Sequence, residues 1–163
     1  MIEFTSKDLP EWQVRLIEKF PLLYLEHDDR IPCPEDSPCN LRFGFEFGEG
    51  WVELVEMFSE QASCMVEALR EELQPDAYIH SFIFKEKFGS LRWQGEDNLI
   101  QPYSDKFRRL VRNVEERSGS ICEICGKPGT LRESDYWMRV RCDEHDDGKK
   151  RNLLDGLEDH LQQ

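Results

Sequence analysis

The chain has 163 residues, 39% hydrophobic and 34% charged, with a formal net charge of -13. That length supports one apolar core with a small appendage, and ten Phe, four Tyr and four Trp can fill it, which excludes a disordered composition. So acidic a field repels nucleic acid and anionic membrane and attracts basic proteins, and no stretch approaches the roughly 20 apolar residues that a membrane-spanning helix needs.

Met1-Ile2-Glu3 does not lead into a basic segment followed by an apolar run, so no signal peptide is expected. The six cysteines are therefore expected in a reducing cytoplasm rather than in a secreted disulfide framework. Asp8-Leu9-Pro10-Glu11 reads as a helix start, with Pro10 near the first position and acids in the first turn. Trp12, Leu16 and Phe20 recur at four-residue spacing beside Ile17, and Pro21 ends or bends the helix. The apolar run 22–25 is expected as a strand or turn. Residues 26–40 hold three prolines, an acidic cluster with Asp28 and Asp29, and Cys33 and Cys39, the composition of an exposed loop. Unpaired thiols or a loop disulfide are expected there rather than a metal, because no second ligand pair lies nearby.

Phe43-Gly44-Phe45-Glu46-Phe47-Gly48-Glu49-Gly50-Trp51 alternates aromatic with small or acidic residues, which predicts a short strand ending in a glycine-rich turn. The glycines are not placed for a phosphate loop and no Walker lysine follows. The clearest helix comes next: Trp51, Leu54, Val55, Phe58, Ala62, Met65, Val66, Leu69 and Leu73 trace one apolar face. Glu53, Glu56, Glu60, Glu67 and Glu71 fall elsewhere on its surface, and residues 46–76 carry nine acids against Arg70 alone. Cys64, beside the apolar stripe, is expected as a small buried hydrophobe. Pro75 closes the helix.

Residues 78–93 are rich in aromatic and β-branched side chains and predict either two strands meeting near Lys85-Glu86-Lys87-Phe88-Gly89 or one long bent strand. Lys85, Lys87 and Arg92 form a basic spot, either an anion site or, more simply, a partner for the acidic helix. Residues 95–102 read as a loop. Ser104 is placed to cap a helix whose buried face is Phe107, Leu110, Val111 and Val114, with Lys106, Arg108, Arg109, Arg112 and Arg117 on its other faces. The acidic and basic helices either face each other or the basic one reaches toward a partner.

The sharpest chemical signal is Cys122, Cys125, Cys142 and His145: C-x2-C, sixteen residues, C-x2-H. Three thiolates and one imidazole fill a tetrahedral Zn2+ shell, leaving no position for a reactive water, so the metal is expected to be structural. Cys122-Glu123-Ile124-Cys125-Gly126 reads as a knuckle whose glycine relieves the backbone after the second ligand. Lys127-Pro128-Gly129 makes a turn, residues 130–141 form a β-hairpin, and Cys142-Asp143-Glu144-His145 opens a final segment that becomes helical through Leu153, Leu154, Leu157 and Leu161. Knuckle, hairpin, and a second ligand pair at a helix start give the order of a treble-clef module. The fold class expected is α+β: an acidic body over 1–120, and a zinc module over 121–163 too small to fold on apolar burial alone. Trp137 and the last leucines are expected to pack back on the body.

These three stretches, 43–51, 85–93 and 122–145, resemble the marks of a group of small uncharacterised bacterial and phage proteins with a C-terminal treble-clef-like zinc module. Phe47 stands where that group would have a cysteine, which argues against a second metal site. The zinc part is also similar to the scaffold of HNH nucleases, but that scaffold needs a histidine on the hairpin and residues 130–141 contain none; His160 alone does not supply the missing ligands.

No pattern recommends a catalytic group. His27 and His160 stand alone, His80 reads as a packed histidine, and the acids are too abundant for any pair to stand out. The charge points instead to a cytoplasmic protein that captures a basic partner protein, an immunity protein against a nuclease-type toxin being one such case, with Asp28, Asp29, Glu53, Glu56, Glu60, Glu67 and Glu71 as the contact surface. The alternatives are a zinc-containing regulatory protein that binds nucleic acid through its treble clef and the basic helix, and a structural adaptor in a larger bacterial or phage complex.

Overall fold

The computed structural model describes residues 9–25, 44–134 and 137–146. In chain order they form α1 (Glu11–Lys19), α2 (Pro21–Tyr24), a 3-10 turn (Glu49–Trp51) running into α3 (Val52–Glu72), the strands β1 (Ile79–Lys87) and β2 (Ser90–Asp97), α4 (Tyr103–Ser118), the strands β3 (Thr130–Ser134) and β4 (Trp137–Arg141), and a closing 3-10 turn (Asp143–His145). The fold is thus α+β, with two antiparallel two-stranded sheets among the described residues.

The apolar stripe of α3 organises the body. Trp51, Leu54, Val55, Phe58, Ala62, Val66 and Leu69 are all buried, as the 3.6-residue period requires of a helix with one face inward. Phe58 is the junction: Phe84 of β1 meets it edge-on with centroids 5.1 Å apart, and Phe107 of α4 lies 5.8 Å away. Trp93 of β2 stands at 88° to Phe107. Burying each such ring stabilises the fold by about 1.5–3 kcal/mol. The helix α4 packs along β2 and α2 along β1. The β1–β2 hairpin closes through a two-residue turn between Lys87 and Ser90, with Phe88 at φ 54° and Gly89 at φ 75°; two positive φ values give the type I′ turn that suits the twist of a hairpin.

Segment 44–47 makes a single parallel bridge, Glu46 to Lys85, in place of the expected short strand. Its other side is occupied by a side chain. Gln13 of α1 donates from Nε2 to the Phe45 carbonyl (3.0 Å) and accepts from the Phe45 amide at Oε1 (2.8 Å), so a buried amide replaces the missing neighbour strand. Gly44, at φ 74°, lies so close that a Cβ there would stand 2.0 Å from Gln13 Oε1.

Seven further expectations change. Residues 95–97 are not loop: β2 continues through them to Asp97, paired with Ile79. Leu73, expected on the apolar face, is 63% exposed because it lies past the last residue of α3. Residues 22–25 are not strand: Pro21 takes the first position of α2, where its missing N–H costs nothing, and the Leu25 amide closes on the Pro21 carbonyl at 2.8 Å. Ser104 does not cap α4; it is buried in the first turn, and the Ile100 carbonyl already accepts from the amides of Tyr103 and Ser104. Cys64 is exposed rather than buried, because its angular position falls on the acidic side of α3. Trp137 is 59% exposed; alternation along β4 turns Val140 inward and Trp137 to the opposite face, where the Arg139 guanidinium lies 5.1 Å from its ring. Arg92 pairs with Glu115 of α4 at 3.8 Å rather than with α3, since α4 is the helix lying along β2.

Among the described residues, no helix is long and apolar enough to cross a membrane.

Candidate metal centre

The knuckle begins where α4 ends. Ser118, buried, turns the chain into residues 119–121, and Gly126 takes φ 75°, a left-handed conformation that glycine adopts without a Cβ penalty. The amide of Gly126 bonds back to the Cys122 carbonyl (2.9 Å), and the Cys122 amide to the Lys127 carbonyl (2.8 Å). This tight loop aims the sulfurs of Cys122 and Cys125 at one point. The hairpin β3–β4 then returns the chain, and the 3-10 turn after Cys142, closed by the His145 amide on the Cys142 carbonyl (3.0 Å), brings the second pair to the same point.

The four ligand atoms lie within 4.8 Å of one another. Cys125 Sγ is 3.7 Å from Cys142 Sγ, while His145 Nδ1 is 3.6 Å from Cys122 Sγ and 3.3 Å from Cys142 Sγ. Zinc with sulfur at about 2.3 Å and nitrogen at about 2.0–2.1 Å in a tetrahedron would have S···S edges of about 3.8 Å and S···N edges of about 3.5 Å. The donor set and the edges therefore fit a structural Zn2+ site, with Nδ1 as the imidazole ligand. With all four positions supplied by the chain, the arrangement can hold a fold together and offers no open coordination site for chemistry.

The thiol electrostatics agree. Burial raises the Cys122 pKa, but the backbone amides of Cys142, Cys125 and Ile124 donate to its sulfur and bring it down to about 6. The shift favours the thiolate, the form that binds metal. For Cys125, the Lys127 amide lowers the pKa, while burial and the neighbouring sulfurs of Cys122 and Cys142 outweigh it and raise the thiol overall. The Cys125 thiol is thus the one that resists ionisation until a cation stands beside it.

Ion pairs clasp the two ligand pairs together. Arg141, directly before Cys142, donates to Glu123 at 2.7 Å, and both side chains are nearly buried at 11% and 13% exposure. Lys127 pairs with Glu144 (2.7 Å), and Arg132 of β3 reaches Asp143 and Asp146. The knuckle is also locked to the body. The Gly50 amide donates to the Glu123 carbonyl (2.8 Å), the Gly48 amide to Glu123 Oε1 (3.1 Å), and Trp51 Nε1 to the Ile121 carbonyl (2.8 Å). Added Cβ atoms at Gly48 and Gly50 would lie 2.4 Å from the Glu123 carbonyl and 2.2 Å from the Cys122 carbonyl. The glycines of the 43–51 stretch thus serve the knuckle, a role that no local pattern reveals because the partner lies about 70 residues away in sequence.

Of the acidic residues expected to meet a partner, Glu53, Glu60, Glu67 and Glu71 are exposed on α3 and Glu56 is half-buried. Asp28 and Asp29 lie outside the described residues, as do Cys33, Cys39, His27, His160 and the leucines of the expected last helix. His80 is buried in β1 and stacked on Tyr78 with centroids 4.5 Å apart, a packed histidine as expected. Arg108, Arg109 and Arg112 of the basic helix line a groove of about 650 Å³ with Trp93, but Asp97 and Asp105 line it too, so its charge is nearly balanced. Sequence reasoning missed Gln13, Glu123 and Arg141 as organising residues; the only local hint was that Glu123 and Arg141 each adjoin a zinc ligand. Comparison with family models, with curated proteins and with solved structures finds no match for this chain.

Proposed function

We propose that this is a zinc-stapled acidic protein whose α3 surface docks on a basic face of another protein, as an inhibitor or immunity protein docks on a nuclease-type toxin. The supporting observation is the arrangement of carboxylates on α3. At about 100° per residue, Glu53, Glu56, Glu60, Glu67 and Glu71 fall within an arc of about 60° and extend over about 27 Å of helix. Among the described residues only Glu56 of these five is in an ion pair, with Lys19 at 2.6 Å. Like charges at i, i+4, as at Glu56–Glu60 and Glu67–Glu71, disfavour the helix by a few tenths of a kcal/mol each, and the apolar stripe on the other face offsets that cost. A linear row of carboxylates matches a cleft built for a phosphate backbone, and the net charge of -13 speeds encounter with such a cleft.

The zinc module holds the N-terminus of this helix in place through Gly48, Gly50 and Trp51, so metal and docking surface belong to one rigid assembly. The test is Glu60→Lys with Glu67→Lys, measured against basic ribonucleases and deoxyribonucleases and against any basic protein encoded beside the gene. Binding that weakens at least tenfold in the variant and falls steeply with salt supports the reading; the absence of any binding to basic partners, or binding indifferent to salt and to the reversal, refutes it. Glu60 and Glu67 are preferable to Glu56, whose reversal would also set a lysine against Lys19.

A further inference from the structure

The turn joining β1 to β2 carries a residue that the fold does not reward. Phe88 occupies φ 54°, a left-handed conformation that glycine and asparagine adopt readily and bulky side chains rarely do. The residue is 67% exposed, so burial in the monomer does not offset the strain. Gly89, the other turn residue, is buried: its Cα faces the β3–β4 hairpin so closely that a Cβ would stand 2.3 Å from Leu131 Cδ1. The turn is therefore held against the zinc-module hairpin, and Leu131, itself 43% exposed, lies beside the tip. Lys87 Nζ sits 5.4 Å from the Phe88 ring centroid. Lys85, two residues back, shares the Lys87 face of the strand, and neither lysine is ion-paired among the described residues. Lys85 stands between Arg92 of β2, whose guanidinium is taken up by Glu115, and Glu46 of the bridged segment.

Strain at the tip is unfavourable to the isolated monomer, and it coincides within four residues with an exposed aromatic ring and two lysines on one face. We propose that the β1–β2 tip is a contact site for an acidic peptide segment of a partner protein, with Phe88 as its apolar anchor. Leu131 extends the apolar floor. Lys85 and Lys87, at i and i+2, lie about 6.6 Å apart along the strand, the spacing of alternate residues in an extended chain, so the segment presents an apolar side chain followed by carboxylates at alternate positions. This site requires the opposite charge from the α3 stripe and stands independently of the function proposed above.

The test uses the full zinc-loaded chain and a displayed library of 12-residue peptides, selected on the wild type and then re-measured on variants. The expected result is enrichment of peptides with a large apolar residue and alternate Asp or Glu, bound at least tenfold more weakly by Phe88→Asn and by Lys85→Glu with Lys87→Glu, and unaffected by Glu60→Lys with Glu67→Lys. Phe88→Asn creates the Asn-Gly pair that type I′ turns favour, so its melting temperature should equal or exceed that of the wild type. A fall in melting temperature would make Phe88 a structural residue and overturn the proposal. So would a library giving no acidic-apolar enrichment, peptides held equally well by Phe88→Asn, or Phe88-dependent binding of a single-stranded oligonucleotide in place of peptide.

Discussion

Gly50→Ala tests whether zinc binding and the body of the fold are one cooperative system. The new methyl would stand 2.2 Å from the Cys122 carbonyl oxygen and 2.5 Å from the Gly126 amide nitrogen. Both are backbone atoms of the knuckle, so no rotamer change relieves the overlap and the knuckle must retreat from α3. Retreat threatens three hydrogen bonds: the amide of residue 50 to the Glu123 carbonyl, the Gly48 amide to the Glu123 carboxylate, and Trp51 Nε1 to the Ile121 carbonyl. A neutral bond contributes about 1 kcal/mol and one to a charged group about 1.5–3 kcal/mol, so losing all three costs about 4 kcal/mol and losing only the first about 1 kcal/mol. Because the knuckle is shaped for docking only with its ligands gathered, much of this loss should appear as weaker zinc affinity. At about 1.4 kcal/mol per tenfold, a loss of 2–4 kcal/mol lowers affinity by roughly 30- to 700-fold. Competition with a chromogenic chelator measures the affinity, and urea unfolding with an unchanged m-value measures the stability. Gly119→Ala is the matched control: its nearest contact is the Glu116 carbonyl at 3.3 Å, and the change should stay within about 0.5 kcal/mol. If Gly50→Ala keeps wild-type zinc affinity and stability, the knuckle and α3 are not energetically coupled and the assembly described above is wrong.

Cys125→Ser should abolish zinc binding at this site, seen by native mass spectrometry of reduced protein, and should unfold the described residues between 121 and 146 in hydrogen exchange; zinc supplies on the order of 10 kcal/mol in comparable small modules. A metal-free variant with unchanged exchange protection would contradict this. Gln13→Ala removes both bonds to the Phe45 backbone and leaves a buried amide and carbonyl without partners. Its cost should be about 2–4 kcal/mol, read by urea denaturation, against well under half of that if water enters to replace the side chain.

The sequence alone determined those features that depend on spacing between near neighbours. The buried face of α3 follows from its 3.6-residue period. The hairpin β1–β2 was legible from aromatic and β-branched runs around Phe88-Gly89, though one bent strand was equally compatible. The ligand set Cys122, Cys125, Cys142 and His145 follows from coordination chemistry, which demands four donors at short spacings whatever the surrounding fold. Tertiary structure decided whatever depended on a distant partner. Gln13 looks like an ordinary polar helix residue until Phe45 is placed beside it. Gly48 and Gly50 look like turn glycines until the knuckle approaches, and Arg92 chooses Glu115 because α4, rather than α3, lies along β2. Cys64 and Trp137 defeat composition for the same reason: each is an apolar type whose angular or alternating position points away from the core. Local periodicity encodes which face is apolar, but which backbone comes within 3 Å of a given residue is settled only when the chain closes on itself.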